Sequence, residues 1–346
     1  MSAKVITTCL KCSLLGVFLL FLQPLRAQTA YPELEQQLQA EQKTLGTDVV
    51  VMVWKDDTLA YKKEMGNFLS KTQASLGGCS KWLTAALLMS FVEEGKLSLD
   101  DKVAKWLPEF ERYNKNYITI RHCLAHLTGI EDEGKKIFQR KKFASLEEEV
   151  NAVAARPIRT NAGQDFWYGN AGLNIAARVL EVISRKKFDL LMKQRLLNPL
   201  EMRRTTFTTT DGSAINPSTG ALSTPDDFMH FLAMLLNKGK YKDKQVLSAE
   251  SIDRLLQVQT TPALISYSPA AAAGLNYALG GWAVKEKDGK AMVLASPDFA
   301  GTWPWVDFCR GYALLIFTKQ PLDHEKAGLY QDLKRTLDQQ VPASCP

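Results

Sequence analysis

Strand-forming runs stand at the two ends of this chain, and helix-forming runs fill the space between. Near the N-terminal end "DVVVMVWKDDTLAYKKEMG", Asp48 to Gly66, reads as two strands turning at Asp56-Asp57. Beyond Ala273, "YALGGWAVKE", "KAMVLAS" and "WPWVDFCRGYALLIFTK" have the same character, punctuated by Gly289 and Pro304. Between them, "KWLTAALLMSFVEE", "ITIRHCLAHL", "SLEEEVNAVAAR", "AGLNIAARVLEVISRKKFDLLMKQRLL" and "PDDFMHFLAMLLNKG" repeat apolar residues at helical spacing. Two more helical runs, "YPELEQQLQAEQKTL" closed by Gly46 and "AGLYQDLKRTLDQQV", flank the strands. The pattern predicts an α/β chain of the α+β type: an antiparallel sheet built from both chain ends, flanked by helices, around an inserted and mostly helical subdomain.

At 346 residues, 46% hydrophobic and 23% charged, the chain can bury a full core as one large domain or two interleaved ones. Lys4, Lys11, the apolar run "SLLGVFLLFL", Pro24 and "LRA" have the layout of a secretory signal peptide, so residues 1–27 are expected to be cleaved after Ala27 and the mature protein to be secreted or periplasmic. No later stretch is long enough to span a bilayer. Losing Lys4, Lys11 and Arg26 takes the formal charge from +6 to +3, too mild for a nucleic-acid partner. The densest basic run, "KKIFQRKK" from Lys135 to Lys142, reads as a solvated loop and helix start. Four cysteines remain in the mature chain, Cys79, Cys123, Cys309 and Cys345, and three pairings are open to them. No CxxC forms among these four, HExxH is absent and the histidines are scattered, so no metal and no cofactor are expected. The oligomeric state is not fixed by any of these features.

Five stretches in register carry a family resemblance: "CSKWLTAALLMSFVEEGKLSLDDKVAKWLPEF", "ITIRHCLAHLTGI", "FWYGNAGLNIAARVLE", "NPLEMRRTTF" and "FAGTWPWVDF". From about Thr47 to Val341 the chain resembles the β-lactamase-related serine hydrolases: class C β-lactamases, DD-peptidases and esterases of the penicillin-binding-protein fold. The resemblance implies one such domain over residues 28–346, with 28–95 and about 270–346 forming the α/β part and about 96–269 the helical part. It also implies a catalytic set. A serine at a helix N-terminus attacks a carbonyl, a lysine three residues on shares its face, a Tyr-x-Asn turn relays the proton, and backbone N–H groups hold the oxyanion.

Measured against that set, Lys81 fits the lysine, and "YGN" supplies Tyr168 and Asn170, but three residues before Lys81 stands Gly78. Cys79 and Ser80 lie about 100° and 200° further round the helix and are expected to point into the packing, and Ser75 precedes the helix. The literal Ser-x-x-Lys of Ser184 to Lys187 belongs to a polar helix end. The family's third motif, Lys or His, any residue, then Gly on a strand edge facing the substrate, aligns with Ser296, Pro297 and Asp298, where the aspartate adds bulk and negative charge and disfavours acidic substrates. His126 in "HLTG" reads as a packed turn residue; Trp303, Trp305 and Asp307 read as strand core and turn, with Trp303 also a candidate for the cleft wall.

The sequence therefore points to a secreted member of this family that lacks its nucleophile. Lys81, Tyr168 and Asn170 are the remnant catalytic site, and Gly78, Ser296 and Asp298 the candidate binding residues for a small-molecule, peptide or cell-wall-like ligand. Two other readings stay open: an active hydrolase in which Lys81 and Tyr168 activate a water, and a structural or interaction protein with an unused cleft.

Overall fold

The computed structural model describes residues 30–131, 142–209 and 211–345. The leader at 1–27 and most of the basic run at 135–142 lie outside these residues. The main strands are β1 (Val49–Lys55), β2 (Thr58–Met65), β3 (Asn276–Tyr277), β4 (Trp282–Lys287), β5 (Lys290–Ala295), β6 (Trp303–Asp307) and β7 (Tyr312–Thr318). They form one antiparallel sheet in the order β2-β1-β7-β6-β5-β4-β3. The first strand pairs with the last, Val49 opposite Thr318 and Lys55 opposite Tyr312, so both chain ends contribute neighbouring interior strands of the one sheet. At the β1–β2 turn Asp56 and Asp57 both take positive φ, which suits a tight hairpin matching the strand twist.

Period-two alternation divides the core. Val49, Val51 and Val53 face one way, towards α1 (Pro32–Ala40) and the C-terminal helix, while Val50 and Met52 face the other. On that second side lie α2 (Ser80–Val92), α3 (Ile120–Leu124), α4 (Leu146–Ala154), α5 (Ala171–Ser184) and α6 (Pro225–Leu236); α7 (His324–Gln340) is the C-terminal helix on the first. The residues of α2 from Ser80 to Phe91 are all buried, because its sequence is apolar nearly all round and other elements enclose it. α3 opens on a capping box between Thr119 and His122. It approaches α5 so closely that a Cβ on Gly172 would lie 2.2 Å from the Cys123 carbonyl oxygen, so only glycine fits there.

Trp303 and Trp305 stack at 4.8 Å on the side of the terminal helices, away from the cleft described below. Trp303 therefore belongs to the core and not to the cleft wall. Asp307 is fully buried; its carboxylate accepts from Lys334 Nζ at 3.0 Å and from the Cys309 and Arg310 backbone N–H groups. Of the three cysteine pairings open to the sequence, the structure has Cys309–Cys345, with Cys79 and Cys123 as buried free thiols. Among the described residues no helix is long and apolar enough to cross a membrane.

Candidate functional site

A single 3-10 turn, Gly77–Cys79, leads into α2 and sets the floor of a cleft of about 610 Å³. Ser75, Gly78, Lys81, Tyr168, Asn170, Asn216, Asp298 and Phe299 are among its lining residues. The structure thus brings Lys81, Tyr168, Asn170, Gly78 and Asp298 together from three distant parts of the chain. Ser296 is set apart: it is buried, does not line the cleft, and its carbonyl oxygen accepts from Cys79 Sγ at 3.2 Å.

Lys81 lies one helical turn beyond Gly78 and is 1% exposed. Its Nζ donates to Asn170 Oδ1 at 3.1 Å and to the Ser218 carbonyl at 3.4 Å, and sits 4.7 Å from the centre of the Tyr168 ring. Asn170 is the N-cap of α5, but its side chain makes no capping bond and is committed instead to Lys81. Behind Ser218 a polar chain continues: its hydroxyl donates to the Asn170 carbonyl or to Asn174 Oδ1, and Asn174 donates to Glu149. These supports were not singled out from the sequence. "NPSTG", Asn216 to Gly220, was their visible sign, a cluster of turn-forming polar residues between two helical runs.

Tyr168 is placed by backbone and rings together. The Phe166–Trp167 strand pairs with Ile265–Tyr267, and Tyr168 N–H donates to the Tyr267 carbonyl at 3.1 Å. Its ring packs against His126 at 4.7 Å and Trp282 at 5.4 Å. Burial, then the neighbouring Tyr277 and Asp298, hold its hydroxyl well above the ordinary tyrosine range, so it stays a neutral phenol. His126 Nδ1 accepts from Gly169 N–H at 3.4 Å, which leaves Nε2–H for Tyr277 Oη at 3.2 Å. Burial, and next Lys81, keep this imidazole far below its usual pKa, as suits a packed turn residue.

The third motif departs from the expected geometry. β5 stops at Ala295, so Ser296, Pro297 and Asp298 lie in the loop leading to β6, and β5 itself is interior, paired on both sides. A tight turn closes that loop, with Asp298 N–H donating to the Thr302 carbonyl and Gly301 N–H to the Asp298 carbonyl. The turn sends the Asp298 side chain back over the start of α2. Oδ2 accepts from Gly78 N–H at 2.5 Å and Oδ1 from Ala300 N–H at 2.8 Å. A Cβ built on Gly78 would lie 2.8 Å from Asp298 Oδ2 and 2.9 Å from Tyr168 Oη; one on Gly77, whose φ is +49°, would overlap Asp298 Oδ1 at 2.1 Å. The two glycines and the aspartate are therefore complementary shapes. Burial raises the Asp298 carboxyl pKa despite the opposing pull of those N–H donors and Lys81.

The neighbouring nucleophile candidates are engaged elsewhere. Burial, then the Asp298 charge, push the Cys79 thiol well above its ordinary pKa, so it is no thiolate. Ser80 Oγ donates to the Gly77 carbonyl at 2.6 Å and accepts from Ala221 N–H. Ser75 Oγ accepts from Gly77 N–H at 3.1 Å, and Ser184 Oγ donates to the Leu180 carbonyl at the end of α5.

A helix-borne lysine, a Tyr-x-Asn turn and a facing antiparallel sheet define the class of β-lactamase-like and penicillin-binding-protein-like serine hydrolases. The chain belongs to the beta-lactamase family: the family model described as Beta-lactamase matches residues 32–336. A protein of Bacteroides dorei DSM 17855 described as "putative beta-lactamase" superimposes with a TM-score of 0.79 at 25% identity, over 89% of this chain and 98% of that one. The octameric penicillin-binding protein homologue from Pyrococcus abyssi shares the fold, with a TM-score of 0.69 at 19% identity over 90% and 79% of the two chains. Protein flp of Staphylococcus aureus (strain MW2) is 25% identical over 167 residues, 45% of this chain and 34% of its own. The match thus spans about a third of the length of the first curated relatives. Protein Rv1367c of Mycobacterium tuberculosis (strain ATCC 25618 / H37Rv) is 24% identical over 321 residues, covering 74% of this chain and 79% of its own.

Proposed function

We propose that this protein is a secreted, non-catalytic member of the family whose cleft binds a peptide or cell-wall-like ligand without forming a covalent bond. One observation carries the reading: the volume a serine side chain at position 78 would need is filled by the Asp298 carboxylate and the Tyr168 hydroxyl. The same carboxylate accepts the Gly78 N–H, one of the two donors an oxyanion would require. The reading with Lys81 and Tyr168 activating a water is disfavoured, because a phenol held neutral is a poor proton acceptor. The ligand class rests on the family and on the penicillin-binding protein homologue among its structural neighbours. Export is supported by the leader-like residues 1–27 and by the Cys309–Cys345 disulfide, a bond favoured in oxidising compartments.

The test is incubation of the protein with a fluorescent penicillin and a serine-reactive fluorophosphonate, followed by mass spectrometry. No lasting adduct is expected. A stoichiometric adduct on Ser75, Cys79 or Ser80 would overturn the proposal.

A further inference from the structure

Within the reading of the cleft as a non-covalent binding site, on which this step rests, we propose that it recognises a ligand bearing a primary ammonium group beside an apolar side chain, with Asp298 as counter-ion and the Phe299 wall as apolar contact. The carboxylate end of a peptide is then excluded, and the site reads an amino group.

The argument starts from which charge a ligand meets. Lys81 lines the cleft but is only 1% exposed, with its ammonium held on Asn170 and Ser218, so little of its charge is presented to a ligand. Asp298 is only half-buried and lines the cleft, so the carboxylate is the ionic group presented to a ligand. Backbone N–H groups of Gly78, on Oδ2, and of Ala300, on Oδ1, together with that of Phe299, hold the carboxylate in place. A carboxylate has about four acceptor sites, so three backbone donors leave room for a further one, and an ammonium is the group that uses it best. A ligand carboxylate would instead meet a like charge and find the Gly78 N–H already taken.

The apolar half comes from the same loop. Phe299, the residue after Asp298, is 58% exposed while lining the cleft, the most exposed large hydrophobic side chain among the described residues. Pro297, Ala300, Pro269 and Tyr267 continue that wall. An exposed aromatic ring beside a fixed carboxylate is matched by an ammonium flanked by an apolar group, which buries the ring and neutralises the charge together. The raised carboxyl pKa of Asp298 fits a group held for a ligand, since an incoming cation would offset the cost of keeping that charge in a buried place.

The test uses three probes on the mature protein by titration calorimetry: phenylalanine amide (ammonium, no carboxylate), N-acetylphenylalanine (carboxylate, no ammonium) and N-acetylphenylalanine amide (neither). Phenylalanine amide is expected to bind about tenfold or more tighter than the neutral probe, and the carboxylate probe weakest. In Asp298→Asn the advantage of the ammonium probe over the neutral one should vanish. In the wild type it should shrink as salt is raised, a measurement that stands even if the variant folds poorly. Tighter binding of the carboxylate probe, an ammonium preference unchanged in Asp298→Asn or by salt, or no binding of phenylalanine amide would overturn the inference. Covalent labelling of the same sample separates the two proposals: an adduct refutes the non-catalytic reading and leaves the probe preferences to stand or fall alone.

Discussion

Restoring a serine at position 78 should fail in the wild-type background and succeed only when Asp298 is removed. In Gly78→Ser the new Cβ would lie 2.8 Å from Asp298 Oδ2 and 2.9 Å from Tyr168 Oη, closer than such contacts tolerate, before any hydroxyl is added. Tyr168 is locked by His126 and Trp282, so Asp298 is the group that must yield. Overpacking of this kind costs about 1–3 kcal/mol, and displacing the carboxylate forfeits a charged hydrogen bond to Gly78 N–H of about 1.5–3 kcal/mol. Gly78→Ser alone should therefore destabilise by roughly 2.5–6 kcal/mol. In Asp298→Gly the carboxylate clash is gone and only the contact with Tyr168 Oη remains, so the same substitution should cost clearly less than in the wild-type background. Chemistry should follow the same split. An oxyanion forming about 4 Å from a carboxylate is opposed by roughly 1 kcal/mol in water and about 4 kcal/mol at a partly buried site. Acylation of the single mutant should thus be about fivefold to a thousandfold slower than that of the double mutant. The assay is a four-way cycle of wild type, both single mutants and the double mutant, read by denaturant midpoint and by gel labelling with a fluorescent penicillin. If Gly78→Ser destabilises both backgrounds equally, or labels as fast alone as in the double mutant, the packing argument is wrong.

Three other perturbations have defined outcomes. Burial raises the Asp298 carboxyl pKa in the folded state, so between the unfolded value and the folded one the native protein binds more protons and stability falls as pH rises. Asp298, faced by Lys81, Tyr168 and Cys79, should therefore make Asp298→Asn more stable than wild type at neutral pH, with the gap closing near pH 4, as thermal melts across that range would show. Removing the Cys309–Cys345 bond, which closes a sequence separation of 36, should cost about 3–4 kcal/mol, measured as the urea midpoint of Cys345→Ser. Asp307→Ala leaves Lys334 with Asp338 alone and the Cys309 and Arg310 N–H groups without their acceptor, so a loss of about 3–5 kcal/mol is expected in the same assay.

The sheet was legible because its strands announce themselves locally: β1 is apolar on both faces, and Asp56-Asp57 is turn chemistry that needs no distant partner. Lys81 was legible from its spacing on a helix, and Tyr168 with Asn170 from a tripeptide that ends where α5 begins. What could not be read was direction. Nothing in "SPDFAG" says that the Asp298 side chain doubles back onto Gly78, because a turn between β5 and β6 aims it. The interior place of β5 depends on strand order, and the Cys309–Cys345 pairing on where the chain end lies, neither of which a linear pattern records. Ser218, Asn174 and Glu149 support Lys81 through contacts with no periodicity to betray them.

The pairing of the first strand with the last also sets a timetable for synthesis. The partner of "VVVMVW" on one side, the hairpin strand β2, follows within a few residues, but the partner on the other, β7, leaves the ribosome only near the end of translation. At about 5–20 residues per second the nascent β1 waits on the order of tens of seconds with one edge open. A run of six apolar residues with no charge and no proline is the kind of segment that recruits a foreign strand. During that interval the hairpin keeps one edge without its partner strand, and β7 is the strand that closes it.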